Sequence, residues 1–166
     1  MHSKKYKIVA IALLCIWMVV IFSFSAETAK ESSATSGGVI RSIAKVIVLD
    51  FEKLSESQQS KIVSSFQGVV RSLAHLCMFA ILGFLATNVA FAFDLKKRKW
   101  CYLPPLFCLL YAVTDEIHQI FIPGRAFQAS DIAVDTLGGV LGTIAFWVVF
   151  HIVNTMINRR KSVEND

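Results

Sequence analysis

A small set of polar side chains interrupts the apolar stretches of this chain, and their types are those that transfer protons and bind anions. Histidine and carboxylate groups act as general acids and bases, and arginine pairs bidentately with phosphate or carboxylate. Such groups are costly in an apolar interior unless they are paired or hydrated. The set consists of Arg71, His75, Tyr111, Asp115, Glu116, His118, Gln119, Arg125, Asp131 and Asp135.

The spacing of these residues places them on shared helix faces. Arg71 and His75 are four positions apart, and so are Asp131 and Asp135, so each pair lies on one face of a helix. A helical wheel places a second group on one face of another helix, with Arg125 in a Pro-Gly-Arg turn shortly after it. That group comprises Tyr111, Asp115, His118 and Gln119.

A catalytic site is one interpretation of this set. His118 or His75 would be the general base, Asp115 or Asp135 would orient it, and Arg125 would hold an anionic group. The residues assigned to catalysis are His75, Asp115, Glu116, His118 and Asp135. Those assigned to substrate binding are Arg71, Tyr111, Gln119, Arg125 and Asp131.

Other interpretations of the set remain open. Arg71 and Arg125 could neutralise carboxylates in an ion-pair network that only holds helices together. A metal site would use both histidines and the carboxylates, but no ligand-spacing motif is present, so no metal ligand and no cofactor is assigned. A proton relay is the weaker alternative, because the other half of each apolar stretch supplies no continuing polar path.

The composition indicates which elements must position these side chains. Of 166 residues 55% are hydrophobic and 17% are charged, whereas a soluble domain carries about 25% charged residues. This excludes an ordinary soluble enzyme and a large domain outside the membrane. We expect an all-α polytopic membrane protein, with one domain over residues 1–166 and a bundle of four transmembrane helices. The expected spans are residues 8–26, 72–93, 101–122 and 132–156.

Basic clusters predict the orientation of these spans. Lysine and arginine gather before the first span, at residues 96–99 and at residues 159–161, and such clusters stay on the cytoplasmic side. We therefore expect a multi-pass plasma-membrane protein with both termini in the cytoplasm. The net charge of +5 is mostly this topogenic signal, so no nucleic-acid partner is inferred. A cleaved signal peptide ending near Ala26 is an alternative for the first span.

The outer loop, residues 27–71, is expected to carry two amphipathic helices on the membrane surface. The alternative is that these helices cap the bundle as a lid over the polar set. Residues 32–38 are rich in serine and glycine and indicate a flexible turn before the first helix. Ser55 and Gln58 form a capping-box pattern that indicates the start of the second helix. In this topology the polar set falls at the outer ends of three spans and gathers in one leaflet.

The polar set also carries a family resemblance. The motif D-E-I-H-Q-x-F-x-P-G-R runs from Asp115 to Arg125, and residues 111–142 closely resemble the VanZ-like family of bacterial membrane proteins. An R-x-x-A-H element falls on Arg71 and His75, and Phe24-Ser25 matches the end of the family's first span. The downstream matches are Asp131, Asp135, Gly138 and Gly142.

This resemblance implies a four-span cell-envelope protein whose founding member is associated with resistance to the glycopeptide teicoplanin. The expected partners are the lipid bilayer and an amphiphilic envelope molecule, either lipid-linked or a lipoglycopeptide. We expect the polar set to bind this molecule, and whether it also modifies the molecule stays open. The alternative is a noncatalytic module that sequesters the antibiotic or packs against an envelope partner through Gly138 and Gly142.

Overall fold

The structure is a computed structural model that describes residues 2–164, and the regular elements in this part of the chain are all helical. The prediction of an all-α fold is therefore confirmed. The helices are α1 (Lys4–Ser25), α2 (Ala29–Ile47), α3 (Glu56–Ala92), α4 (Lys97–Trp100), α5 (Leu103–Gln119) and α6 (Ala129–Glu164), with a 3-10 turn at Phe51–Lys53.

Three helices within residues 2–164, not four, are long and apolar enough to cross a membrane: α1, α3 and α6. The expectation of four such helices was wrong for the third span. α5 has 17 residues, which corresponds to about 25 Å, because turns replace both ends of the expected span 101–122. The apolar core of a bilayer is about 30 Å thick, so α5 alone falls short of it.

The two ends of the bundle differ in chemistry. One end, which we call the polar end, contains Ser25, His75, Gln119 and Asp135. The opposite end, the aromatic end, contains Phe91, Trp100, Trp147 and Phe150, with ring centroids 5.2–6.3 Å apart in the contacting pairs. α5 begins beside the aromatic end and finishes at the polar end, so it extends between the same two ends as α1, α3 and α6.

Glycines allow α3 and α6 to pack closely. A methyl group built on Gly142 would overlap the carbonyl oxygen of Ala80, and one on Gly138 would meet the carbonyl of Leu76. The small-residue face of α6, with Gly138 and Gly142, therefore packs against α3 of the same chain. This packing also determines the depth and rotation at which the first turns of α6 meet α3.

The segment before the second span differs from the expectation. Residues 32–38 belong to α2 and do not form a flexible turn, and the expected second surface helix and second span form one continuous helix, α3. The capping box of Ser55 and Gln58 does start that helix, as predicted. α2 packs on the first half of α3, where Gln67 Nε2 donates to the Ser33 carbonyl over 2.8 Å.

Candidate functional site

Three of the predicted residues meet at the polar end. His75 comes from α3, Asp115 from α5 and Asp135 from α6, and one nitrogen or oxygen atom of each lies within 4.8 Å of those of the other two. The Nδ1 atom of His75 is 3.4 Å from Oδ1 of Asp135. Asp115 is 3% exposed and Asp135 is fully buried. We call these three residues the His-Asp cluster.

The glycine packing of α6 explains why this cluster forms. Gly138 lies against the backbone of Leu76, the residue after His75. Asp135 is one helical turn before Gly138 on the same face of α6, so its carboxylate is brought level with the imidazole of His75. A larger residue at position 138 would move α6 outward and separate the pair.

Several carboxylate oxygens at this end are buried without a hydrogen-bond partner among the described residues. These are Asp115 Oδ1, Glu116 Oε1 and both Oδ atoms of Asp135. The other oxygen of Glu116 accepts the backbone N–H of Gln128 over 2.8 Å and so holds the residue that precedes α6. Buried oxygens of this kind usually have a partner, so they mark the cluster as a place where a cation or a donor can bind.

Gln119 connects the cluster to its neighbours. Its Nε2 donates to Asp115 Oδ2 and to Ser25 Oγ, both over 3.1 Å. Its Oε1 accepts from Arg125 Nη1 over 3.3 Å. The side chain is fully buried, so these bonds determine its orientation.

The turn that carries Arg125 forms as the sequence predicted. The N–H of Arg125 donates to the Ile122 carbonyl over 3.1 Å, and Gly124 adopts a φ of 77°, which the turn requires and glycine tolerates best. Arg125 Nε then donates to the backbone carbonyl of Glu27 over 3.0 Å. Burial lowers the pKa of the Arg125 guanidinium, and the nearby positive charge of Arg71 lowers it further.

The ion pairs at this end are few among the described residues. Arg71 Nη2 lies 4.0 Å from Asp131 Oδ2, and His75 lies beside Asp135. Arg125 donates to Gln119 and to a backbone carbonyl instead of to a carboxylate. The arrangement therefore differs from the ion-pair network in which both arginines neutralise buried carboxylates.

Two cavities open beside His75. The larger, about 280 Å³, is bounded by α1, α2, α3 and the Arg125 turn; we call it the arginine cavity. Arg71, His75 and Arg125 line it together with one acidic residue, Glu27. Its apolar wall includes Phe24, Val39 and Met78. The smaller cavity, about 110 Å³, lies between α3 and the start of α6 and is lined by Arg71, His75, Gln128 and Asp131 among others.

Two predicted site residues lie away from the His-Asp cluster. The ring of His118 packs against Phe22 of α1, with centroids 4.3 Å apart. The hydroxyl of Tyr111 donates to the Met18 carbonyl over 2.7 Å, which links α5 to α1. Of the two histidines offered as a general base, His75 is thus the one beside a carboxylate.

The sequence left open that the outer helices form a lid over the polar set, but the residues of α2 that line the arginine cavity were not predicted. Ser32, Thr35 and Ser36 of α2 line its wall, in the stretch interpreted as a turn. The missed signal is a second capping box, Thr28-x-x-Glu31, which starts α2. The hydrogen bonds from Thr28 lower the pKa of Glu31.

A comparison with protein families identifies the family to which this chain belongs. Residues 10–151 match the sequence profile of the VanZ/LLP1 family, which covers most of the chain. The chain belongs to the VanZ/LLP1 family. The expected family resemblance is therefore confirmed. No curated protein and no solved structure shows a match to the chain.

Membership in the VanZ/LLP1 family agrees with the apolar helices. Together they indicate a multi-pass membrane protein. The matched region contains every residue of the His-Asp cluster and both arginines of the arginine cavity. Membership in the VanZ/LLP1 family does not by itself determine the chemistry of the site.

Proposed function

We propose that this VanZ/LLP1-family protein binds an amphiphilic envelope molecule through its anionic group in the arginine cavity. The observation that carries the proposal is the pair of arginines, Arg71 and Arg125, in a cavity that also has an apolar wall and a single acidic lining residue, Glu27. A phosphate or carboxylate would pair with the guanidinium groups. The apolar part of the molecule would lie against the helix surfaces beside the cavity.

The arginines retain donor capacity for such a ligand. Arg71 is paired only loosely, at 4.0 Å, and its Nε is buried without a hydrogen-bond partner among the described residues. Arg125 uses its recorded hydrogen bonds on two neutral acceptors. The neighbouring carboxylates therefore neutralise the two guanidinium groups only in part, and an anion in the cavity would interact with the remaining positive charge.

The size of the cavity limits which part of the ligand enters it. A volume of about 280 Å³ lies at the lower end of the range for small-molecule sites, which begins near about 300 Å³. It accommodates a headgroup and leaves an acyl chain outside. A lipid-linked envelope molecule and an acylated glycopeptide such as teicoplanin share this chemistry, and teicoplanin is proposed here only through the family resemblance.

Modification of the bound molecule would use His75. Its imidazole lines the arginine cavity and lies 3.4 Å from Asp135, the arrangement in which a carboxylate orients a general base. His118 packs on Phe22 and does not line the arginine cavity. We therefore assign the proton-transfer role, if the protein is an enzyme, to His75 and not to His118.

The alternative of a noncatalytic partner module has less support. It was motivated by the glycine face of α6, which could have packed against another protein. That face is occupied by α3, with Gly142 against Ala80 and Gly138 against Leu76. A partner would have to use another surface.

Lipid binding by the purified full-length chain tests the proposal. Native mass spectrometry in mild detergent would compare retention of phosphatidylglycerol, which is anionic, with that of zwitterionic phosphatidylcholine. We expect preferential retention of phosphatidylglycerol, and at least a tenfold loss of that retention in Arg125→Gln, since charge-assisted bonds contribute about 1.5–3 kcal/mol.

A matched variant separates the cavity from general surface charge. Lys45→Gln removes a cation of α2 that pairs with Glu52 on the exposed surface, and its phosphatidylglycerol binding should match that of the wild type. Equal retention of both lipids by the wild type, or full phosphatidylglycerol binding by a correctly folded Arg125→Gln protein, would show that the arginine cavity is not an anion site.

A further inference from the structure

The His-Asp cluster has the composition of a metal site that no sequence motif indicated. We propose that His75, Asp115 and Asp135 together bind one divalent transition-metal cation, Zn²⁺ or Mn²⁺. The three ligands come from α3, α5 and α6 and are separated by 40 and 20 positions in the chain, so a search for short ligand spacings could not find them. The proposal is independent of whether the arginine cavity binds an anion, but it replaces the general-base role of His75, because Nδ1 cannot both donate to Asp135 and bind a metal.

The geometry is close to that of a bound cation. Ligand atoms at about 2.1 Å from a metal lie at most about 4.2 Å apart. The three donor atoms lie within 4.8 Å of one another, and the Nδ1 atom of His75 is already 3.4 Å from Asp135. In a tetrahedral site the ligand atoms would lie about 3.4 Å apart, so side-chain rotation would have to bring the donor atoms closer by up to about 1.4 Å.

Charge balance supports a cation at this position. Asp135 is fully buried, and both of its carboxylate oxygens lack a hydrogen-bond partner among the described residues. Asp115 is 3% exposed and has one such oxygen. The recorded ion pair of Arg71 is with Asp131, and the recorded hydrogen bonds of Arg125 are to neutral acceptors. Asp135 has His75 as a charged partner only when the imidazole is protonated, and Asp115 has no ion pair among the described residues. A divalent cation bound to the neutral imidazole would offset both buried carboxylate charges.

A neighbouring side chain already orients one ligand. Gln119 Nε2 donates to Asp115 Oδ2 over 3.1 Å, and this bond holds the carboxylate so that Oδ1 is left for the metal. Hydrogen bonds of this kind commonly position metal ligands and tune their affinity. Gln119 is therefore a positioning residue in this proposal and not a ligand.

The donor set restricts the kind of cation. One imidazole and two carboxylates suit Zn²⁺ and Mn²⁺, whereas copper(I) prefers thiolate or thioether sulfur. Three protein ligands leave at least one coordination position open, as in catalytic zinc sites. His75 lines both cavities, so a water or ligand group could reach that open position from either one.

Metal binding by the full-length protein in detergent tests the proposal. The protein would be stripped with a chelator and dialysed against micromolar Mn²⁺ or Zn²⁺. Bound Mn²⁺ would be measured by electron paramagnetic resonance and bound Zn²⁺ by elemental analysis. We expect one ion per chain, with competition between the two metals, and a rise in the thermal unfolding midpoint when the metal is added.

The variants are chosen so that misfolding is not mistaken for loss of a ligand. Asp135→Asn keeps the side-chain shape, and His75→Gln keeps a polar side chain of similar length. Each should lower metal affinity at least tenfold and abolish the metal-dependent thermal shift. The matched controls are His118→Gln, a histidine outside the cluster, and Asp50→Asn, an exposed carboxylate paired with Lys53; both should bind like the wild type.

Two outcomes would overturn the proposal. One is a wild-type protein that binds neither metal above the level of a chain carrying both Asp135→Asn and His75→Gln. The other is an Asp135→Asn protein that binds as tightly as the wild type. Because the readout is the metal itself, a failed phosphatidylglycerol assay leaves this test unaffected.

Discussion

The side-chain amide of Gln119 donates a hydrogen bond to Ser25 Oγ over 3.1 Å, although the two residues are 94 positions apart. Tyr111 makes a second link of this kind, from its hydroxyl to the Met18 carbonyl. Both bonds join α5 to α1. Ser25 and Gln119 are buried, so water cannot readily replace the bond between them. α1 is therefore a wall of the site as well as an apolar helix.

Replacement of Tyr111 should affect stability and not ligand binding. Tyr111→Phe removes the bond to Met18 while the ring stays in place, and a hydrogen bond of this type contributes about 1 kcal/mol. We expect a lower thermal unfolding midpoint and unchanged phosphatidylglycerol retention. Tyr102→Phe, at an exposed tyrosine, is the control and should change neither. If Tyr111→Phe instead retained less phosphatidylglycerol and was as stable as the wild type, Tyr111 would be a ligand contact.

The α3–α6 contact should not tolerate a methyl group on Gly142. Gly142→Ala places that group on the Ala80 carbonyl, and overpacking of this kind costs about 1–3 kcal/mol. Gly38→Ala is the matched control, because nothing lies within 4 Å of a methyl group there. Thermal unfolding in detergent should show a lower midpoint for Gly142→Ala and an equal or higher one for Gly38→Ala. Equal midpoints for Gly142→Ala and the wild type would mean that α3 and α6 are farther apart than in this structure.

The start of α2 should respond to pH through Glu31. Its pKa is lowered by hydrogen bonds from Thr28, so the ionised carboxylate stabilises the cap. A lowered pKa contributes stability that is present above the ordinary glutamate range and is lost as the pH falls through the folded-state pKa. The protection factors of the first amides of α2, which are corrected for the slower intrinsic exchange at low pH, should fall on acidification more in the wild type than in Glu31→Gln. An identical fall in both proteins would assign it to another group.

The position of α5 can be determined by labelling single cysteines in a chain whose native cysteines are replaced. If α5 crosses the membrane and the polar end faces outward, a membrane-impermeant maleimide should label Lys53→Cys and Ala126→Cys in intact cells. Lys96→Cys and Asn158→Cys should react only after permeabilisation. Opposite labelling of Lys53→Cys and Ala126→Cys would show that α5 does not cross. Reversal of all four would place the polar end inside.

Local features of the fold could be predicted from the sequence. The capping box of Ser55 and Gln58 and the turn at Arg125 form as predicted, because each depends on residues within four positions of one another. The apolar stretches of α1, α3 and α6 were also predicted, since hydropathy alone reveals them. The family followed from the motif around Asp115.

Element boundaries at the membrane surface could not be predicted in the same way. The change to apolar residues at position 72 predicts a span that begins there, but α3 begins at Glu56 and continues through that point. Hydropathy indicates whether a segment prefers water or lipid. It does not indicate where the hydrogen-bonded backbone of a helix begins or ends. For α5 the error was the opposite, since apolar residues at both ends of the expected span form turns.

The sequence by itself determined which polar residues lie on each helix face, and only the tertiary structure decided which of them meet. His75 and His118 were equal candidates for a partner carboxylate, and the structure pairs His75 with Asp135 and packs His118 on Phe22. Helical periodicity relates residues within one helix and says nothing about its rotation or depth against another. Those are set by packing, here by the glycines of α6 against α3, and so the composition of the His-Asp cluster could be known only once the helices were packed.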